Sequence, residues 1–349
     1  MYTRKIRTPR ASPVENGIPL TGTWNKAFTH VDLSDIRRPY LLPLPRWLKY
    51  ARVKEWESIA VQNINFYLVA VLGNFKIFQT IQIFLHDKEK ELNYHYKKFY
   101  LGNNWRLPKT LYNSSVEYRS SRFFFRIHPW LMADTIKLDI DIKKTNHLPA
   151  LTVQLAFCMN SHDVTPMAVS LSFSKQRNMY AYKALTRVRG DIVLGEKHSN
   201  LKKSNCIGLF CDYKGFYPYR MKGVFCSGMG FDGKGRHFGF HMAENQTKET
   251  KKVNENAFWL EGSVTPLPSI KITMPNGPES DWIIQDVEGM VDLTFTPKVT
   301  NWYGINFLII SGDLFAPMGY YNGMLVSSGG EKIKVHNLWG TGEKLYLRV

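Results

Sequence analysis

Gly228, Gly230 and Gly233 stand at the GxGxxG spacing that lets a backbone wrap a pyrophosphate, and the stretch from Gly228 to Lys234 approaches a P-loop. Both chemistries need more than glycines. A dinucleotide fingerprint requires a strand before it and a helix after it, whereas Asp232-Gly233 reads as a hairpin turn. Gly235 occupies the place where a P-loop needs Ser or Thr to meet Mg²⁺, so neither nucleotide nor any other cofactor is expected. His237 and His241 would share one face of a helix, but in a strand their Cα atoms lie about 13 Å apart, too far to clasp one ion. No metal site is expected. Cys158, Cys206, Cys211 and Cys226 form no CxxC pair and read as buried reduced thiols, and neither GxSxG nor HExxH occurs.

The elements that must carry any site are strands. Ile136, Leu138, Ile140 and Ile142 alternate with Lys137, Asp139, Asp141 and Lys143, the period of a sheet with one buried and one wet face. Val169, Leu171 and Phe173, then Val291, Leu293 and Phe295, then Ile333 and Val335 repeat the pattern. Hairpin turns are expected at Gly102-Asn103, Asp232-Gly233, Asn276-Gly277, Asn322-Gly323 and Gly329-Gly330, whose residues accept positive φ. Only Pro45 to Trp56 reads as a short helix. The prediction is an all-β protein of antiparallel strands, in a barrel or a sandwich.

With 349 residues the chain is long enough for two cores, and the polar stretch from Asn160 to Pro166 suggests a division into 1–165 and 166–349. A hydrophobic share of 44% and an aromatic share of 14% fit a folded protein with apolar cavities better than disorder. No apolar run reaches the ~20 residues of a membrane helix. The start shows no signal-length apolar segment, so a cytoplasmic location is expected. The formal charge of +17 implies attraction to polyanions at low salt, but no recognition helix or zinc module accompanies it. Peripheral contact with an anionic membrane is therefore a minor expectation, and specific nucleic-acid binding is not expected.

Gly22-Thr23-Trp24 is the GxW with which lipocalin-like barrels often begin, and Arg348 is a possible stacking partner for that Trp. The run from Asp212 through Gly215, Pro218, Tyr219 and Arg220, the glycines from Gly228 to Gly239, and Asn254-Glu255-Asn256 leading to Trp259 and Gly262 form a more specific set. With Trp282, Asp292 to Pro297, Ser311-Gly312, Gly340 to Glu343 and the early Arg52 to Glu57, this ordered set resembles the bacterial domain of unknown function 2804 family over most of the chain. That resemblance implies two lipocalin-like, or calycin, antiparallel β-barrel halves packed together with few short helices, and distant kinship to carotenoid hydratases and tocopherol cyclases. Gly223 and Phe225 stand where the family usually has tryptophans, and His241 where Asn is common, so a pocket floor here would differ in size and polarity.

On that resemblance the expected partner is a hydrophobic, lipid- or isoprenoid-like small molecule held in a barrel cavity. The alternative is an enzyme in which a carboxylic acid kept neutral by an apolar pocket protonates an alkene. Glu255 and Glu343 are the candidate acids, expected to line one cavity. Asp212, Tyr219, Arg220, His241, Asn256, Trp259 and Trp24 are candidate ligand-binding residues. The competing structural reading pairs Arg220 with Glu255 or Asp212 as an internal network. Trp56 and Trp282 are further cavity candidates, although aromatic side chains in barrels mostly fill the core.

Overall fold

The computed structural model describes residues 2–102, 104–202, 205–306 and 311–348. It is mostly β, arranged as two curled half-barrel sheets with one α-helix, Arg46–Arg52. That helix lies within the expected Pro45–Trp56 stretch but stops at Arg52, and Trp56 belongs to the following strand, Lys54–Gln62. Among the described residues no helix is long and apolar enough to cross a membrane.

The N-terminal sheet runs from an edge at Leu92–Leu101 through Phe78–Asp87, Phe66–Asn74, Lys54–Gln62, Ile207–Gly215, Arg177–Leu194, Leu151–Cys158, Thr135–Ile142 and Phe123–Trp130 to Val116–Arg119. Neighbours on this path pair antiparallel. Its curl brings the two edge strands together: Tyr100 and Tyr118, one from each edge, hydrogen-bond through their hydroxyls with ring centroids 5.3 Å apart. The 18-residue strand Arg177–Leu194 serves two sets of neighbours, Met167–Ser174 along its first half and Leu151–Cys158 along its second. At Gly190 in that second half φ is +134° and a Cβ would sit 2.0 Å from the Gln154 carbonyl, so only glycine fits.

The C-terminal sheet runs from Ser263–Pro266 through Ala257–Leu260, His237–Asn245, Arg220–Phe231, Lys332–Arg348, Met318–Val326, Val291–Val299 and Trp282–Asp286 to Ile270–Thr273. It too curls, and Glu244 bridges the gap by accepting from the Ile272 backbone N–H at 2.9 Å. The chain changes sheet between Gly215 and Arg220. Asn160–Pro166, where the sequence suggested a division, instead links two strands of the N-terminal sheet, so 165/166 does not coincide with the change.

Turns fall as expected at Asp232-Gly233, Asn276-Gly277 and Gly329-Gly330, each between consecutive strands. Gly102 also follows a strand end, and Asn103 lies outside the described residues. Asn322-Gly323 is a correction: it sits inside Met318–Val326 as a bulge, where Gly323 takes φ +131° against the Asp292 carbonyl.

Three cores result. One fills the N-terminal half around Leu138, Ile140 and Tyr182, and one fills the C-terminal half around Trp282, Phe295 and Tyr321. The third lies on the seam, where Ala60, Tyr67 and Leu209 of the first sheet meet Met229, Trp259 and Trp339 of the second. Seam strands are covered on both faces, and Ile207–Gly215 is buried at all nine positions. Cys206, Cys211 and Cys226 are buried thiols and Cys158 is half-buried.

Candidate functional site

Period-two geometry sends alternate residues of the seam strands in opposite directions. Trp56, Ser58 and Tyr213 point toward the C-terminal sheet, while Glu57 and Asp212, partners across one register position, point into the N-terminal half. On the opposing sheet Phe225 and Glu343 are direct cross-strand partners, and His241 enters from the adjacent strand. Between the two walls lies a cavity of about 160 Å³. Trp56, Val69, Phe75 and Phe84 give it an apolar face on one side, and Phe225, Leu314, Met318 and Leu345 on the other. Trp56 stacks on Tyr213 with centroids 4.8 Å apart, which fixes the aromatic wall.

Glu343 is the one carboxyl among the described residues lining this cavity. It makes no hydrogen bond or ion pair with any described residue. Set in a mostly apolar wall, it is pushed up to about 7 by desolvation alone. Most of the other polar groups on the wall already have partners: Gln82 is tied to Thr80 at 2.6 Å and to His95 at 2.6 Å, and Thr341 to Ser227 at 2.9 Å.

Behind His241 lies a second buried polar group, fully satisfied. Lys183 Nζ lies 2.7 Å from Glu255 Oε2, 2.9 Å from the Glu255 carbonyl oxygen and 2.8 Å from His241 Nδ1. An ammonium has three donors and no lone pair, so all three are used and His241 Nδ1 must accept. The ring proton therefore sits on Nε2 and is donated to the Tyr213 hydroxyl at 3.2 Å. That hydroxyl in turn donates to Glu255 Oε2 at 3.0 Å. Asn245 Nδ2 donates to the remaining oxygen, Oε1, at 2.5 Å. Burial first, and Lys183 second, hold His241 well below its usual range, which agrees with a neutral ring. The members come from both sheets, so the network fastens the halves together.

The candidates from sequence therefore separate. Glu343 and His241 line the cavity. Glu255 does not: it stands behind the wall as the partner of Lys183, so the two acids do not share the cavity. Asn256 is a structural pin, accepting from the Ala243 N–H at 2.8 Å and donating to the Pro268 carbonyl at 2.8 Å. Trp259 is wholly buried in the seam core and donates its indole N–H to the Thr165 carbonyl at 3.0 Å. Trp24 packs edge-on against Phe28, centroids 4.8 Å apart, in the N-terminal core, and Arg348 lies in the other sheet opposite Arg220. Trp282 belongs to the C-terminal core; Trp56 does line the cavity.

Asp212 faces away from the cavity and pairs with Lys214 at 2.5 Å inside the N-terminal half. Tyr219 and Arg220 are exposed at the sheet connector, and lysines take the places the internal network reading gave to Arg220. Lys183, Tyr213 and Asn245 escaped the sequence reading. The available signal was a lone lysine inside the aromatic run from Met179 to Leu185. Glu57 was also missed. Both of its oxygens are buried without a hydrogen-bond partner, and desolvation, followed by Asp212, pushes it up to about 8.

No curated protein is matched by this chain. Among solved structures, CghA superposes with a TM-score of 0.54 at 10% identity, covering 85% of this chain and 88% of that one. CghA with Sch210972 gives 0.51 at 9% identity over the same shares. Kievitone hydratase from Nectria haematococca gives 0.49 at 7% identity, covering 84% and 88%. The fold is thus calycin-like, and with the model for the domain of unknown function DUF2804 matched over residues 4–348, the chain belongs to that family.

Proposed function

We propose that this protein binds a hydrophobic small molecule, isoprenoid- or lipid-like, in the cavity between its sheets, with the neutral Glu343 carboxyl donating a hydrogen bond to the ligand's polar atom. One observation carries this reading: a mostly apolar cavity holds a single carboxyl with no hydrogen-bond partner among the described residues. Leaving such a donor unsatisfied costs about 1–3 kcal/mol, which a ligand acceptor would recover. Cavities of roughly this size hold a benzene-sized body, so a ring or branched terminus would fill it while the remainder extends toward the opening. Uptake of a terpene alcohol, followed by native mass spectrometry and by displacement of a fluorescent fatty acid, tests the idea. Phe225→Trp should fill the cavity and abolish uptake, and Glu343→Leu should weaken uptake of the alcohol about tenfold while sparing the parent hydrocarbon. Unchanged uptake in Phe225→Trp would place the ligand elsewhere and end this reading.

A second reading is favoured by the near-neutral proton affinity of Glu343. A carboxyl at about 7 is both protonated and able to release its proton near neutral pH. Transfer of that proton to one alkene carbon forms a C–H bond and leaves a cation on the neighbouring carbon. If water attacks that cation, the proton lost from the resulting oxonium returns to the Glu343 carboxylate. If a second alkene attacks, the charge moves to a new carbon and is quenched when a neighbouring C–H gives its proton back to the carboxylate and the electron pair forms a new alkene. In deuterated water the product would carry one solvent deuteron on carbon, and Glu343→Gln, which binds but cannot protonate, would give none. Equal product from that variant would dismiss catalysis and leave binding untouched.

A further inference from the structure

The helix Arg46–Arg52 is built inside out. Lys49 is only 9% exposed and turns inward, its Nζ donating to the Ile36 carbonyl at 2.9 Å, while Trp47 stands 71% exposed. A surface helix ordinarily does the reverse. Just before it Leu41 and Leu42 are 68% and 62% exposed, and Leu41 holds φ 66°, a left-handed backbone unfavourable for leucine. The segment is nonetheless held firmly. Ile36 and Val53 join Phe216 in a small core, Tyr40 packs edge-on against Phe216 at 5.8 Å, and Pro39, Pro43 and Pro45 stiffen the chain between. Packing alone gives no reason to spend a strained backbone on presenting three large apolar side chains to water.

The charge around them has one sign. From Ile36 to Lys54 the chain carries six basic residues and no acidic one. Arg37 and Arg38 are exposed beside Leu41, and Arg106 is exposed beside the helix, 5.7 Å over the Tyr50 ring. The acids nearby, Asp32 and Asp35, are engaged by Arg46 at 2.8 and 2.9 Å, and Lys109 also binds Asp32. Apolar tips surrounded by exposed arginines match the boundary of a bilayer, where aromatic and leucine side chains enter below the headgroups and cations meet lipid phosphates.

We propose that this surface docks on an anionic lipid bilayer, with Leu41, Leu42 and Trp47 inserted and Arg37, Arg38 and Arg106 on the lipid phosphates. The site stands apart from the cavity and does not depend on what the cavity holds.

The test is sedimentation of the full chain with phosphatidylcholine vesicles, with or without phosphatidylglycerol. Binding should require the anionic lipid and should fall at least tenfold in a Leu41→Ser, Leu42→Ser, Trp47→Ser variant, while Glu343→Gln binds like the wild type. Retention on heparin, which reads charge alone, should survive the triple change. If that variant misfolds, brominated lipid supplies a second readout: it should quench the wild type more than a Trp47→Phe variant. Equal vesicle binding by wild type and triple variant would reduce the effect to net charge and overturn the proposal. A wild type that ignores vesicles but whose self-association the triple variant abolishes would make the patch a protein interface and overturn it equally.

Discussion

Glu343 and Glu255 both lie at the seam between the sheets, within reach of the same histidine-bearing wall, yet their surroundings give them opposite capacities. Glu255 is held by Lys183, Tyr213 and Asn245, so both oxygens act as acceptors and nothing is left to offer a ligand. Glu343 has no hydrogen-bond partner among the described residues and faces a mostly apolar cavity, which leaves its proton available. A buried carboxyl becomes part of the scaffold or part of the chemistry according to whether the protein completes its hydrogen bonds. His241 connects the two regions: its ring touches the cavity while both nitrogens belong to the network, so it can shape the pocket but cannot serve as a base.

The strongest way to break this comparison is to unpair the network. Lys183→Met should destabilise the protein by about 3–5 kcal/mol, because it strands a buried carboxylate, and urea unfolding would measure the loss. A loss below about 1 kcal/mol would mean that Glu255 is not held as described. Adding Glu255→Gln to Lys183→Met should recover part of the loss, since the stranded charge is then gone.

A smaller effect belongs to Glu343 and appears as pH dependence. Its folded value, about 7, lies above its ordinary 4.5, so the folded state keeps the proton longer than the unfolded one. The resulting stability is full below about pH 4.5 and is lost as pH rises through about 7, a span of at most about 3 kcal/mol before the cavity's access to water is allowed for. Glu343→Gln should flatten that part of the profile and leave the variant more stable than the wild type above pH 7. Glu57 has the same sign and a higher midpoint, about 8, so its contribution to the slope should persist in Glu343→Gln and be removed when Glu57→Gln is added. Denaturation midpoints across the pH range would separate the two.

The smallest effect sharpens the contrast between core and cavity aromatics. Trp24→Phe should cost about 1–2 kcal/mol through lost packing against Phe28 and leave ligand uptake unchanged. Altered uptake would return Trp24 to the binding site.

What the sequence made legible follows from burial on one face or two. Thr135–Ile142 alternates cleanly because its polar face meets water, and the structure buries the residues the pattern chose. Ile207–Gly215 is covered on both faces, so alternation fades, and Asp212 and Lys214 look like surface charges although they are sealed inside. The two-sheet calycin architecture was legible through the family resemblance, but the seam was not, because it pairs residues such as Lys183 and Glu255 that stand far apart in the chain. Glu343 was identified from its motif and does reach the cavity; Glu255 was identified on the same grounds and does not. Local sequence shows which carboxyls are surrounded by apolar residues, whereas only the packed seam shows which of them has acquired a lysine.

The most direct measurement is a ¹³C NMR titration of the Glu343 carboxyl in the intact protein, assigned by its disappearance in Glu343→Gln. A midpoint near 7 that rises further when a hydrophobic ligand excludes water from the cavity is the expected result. A midpoint near 4.5 that ignores the ligand would contradict it.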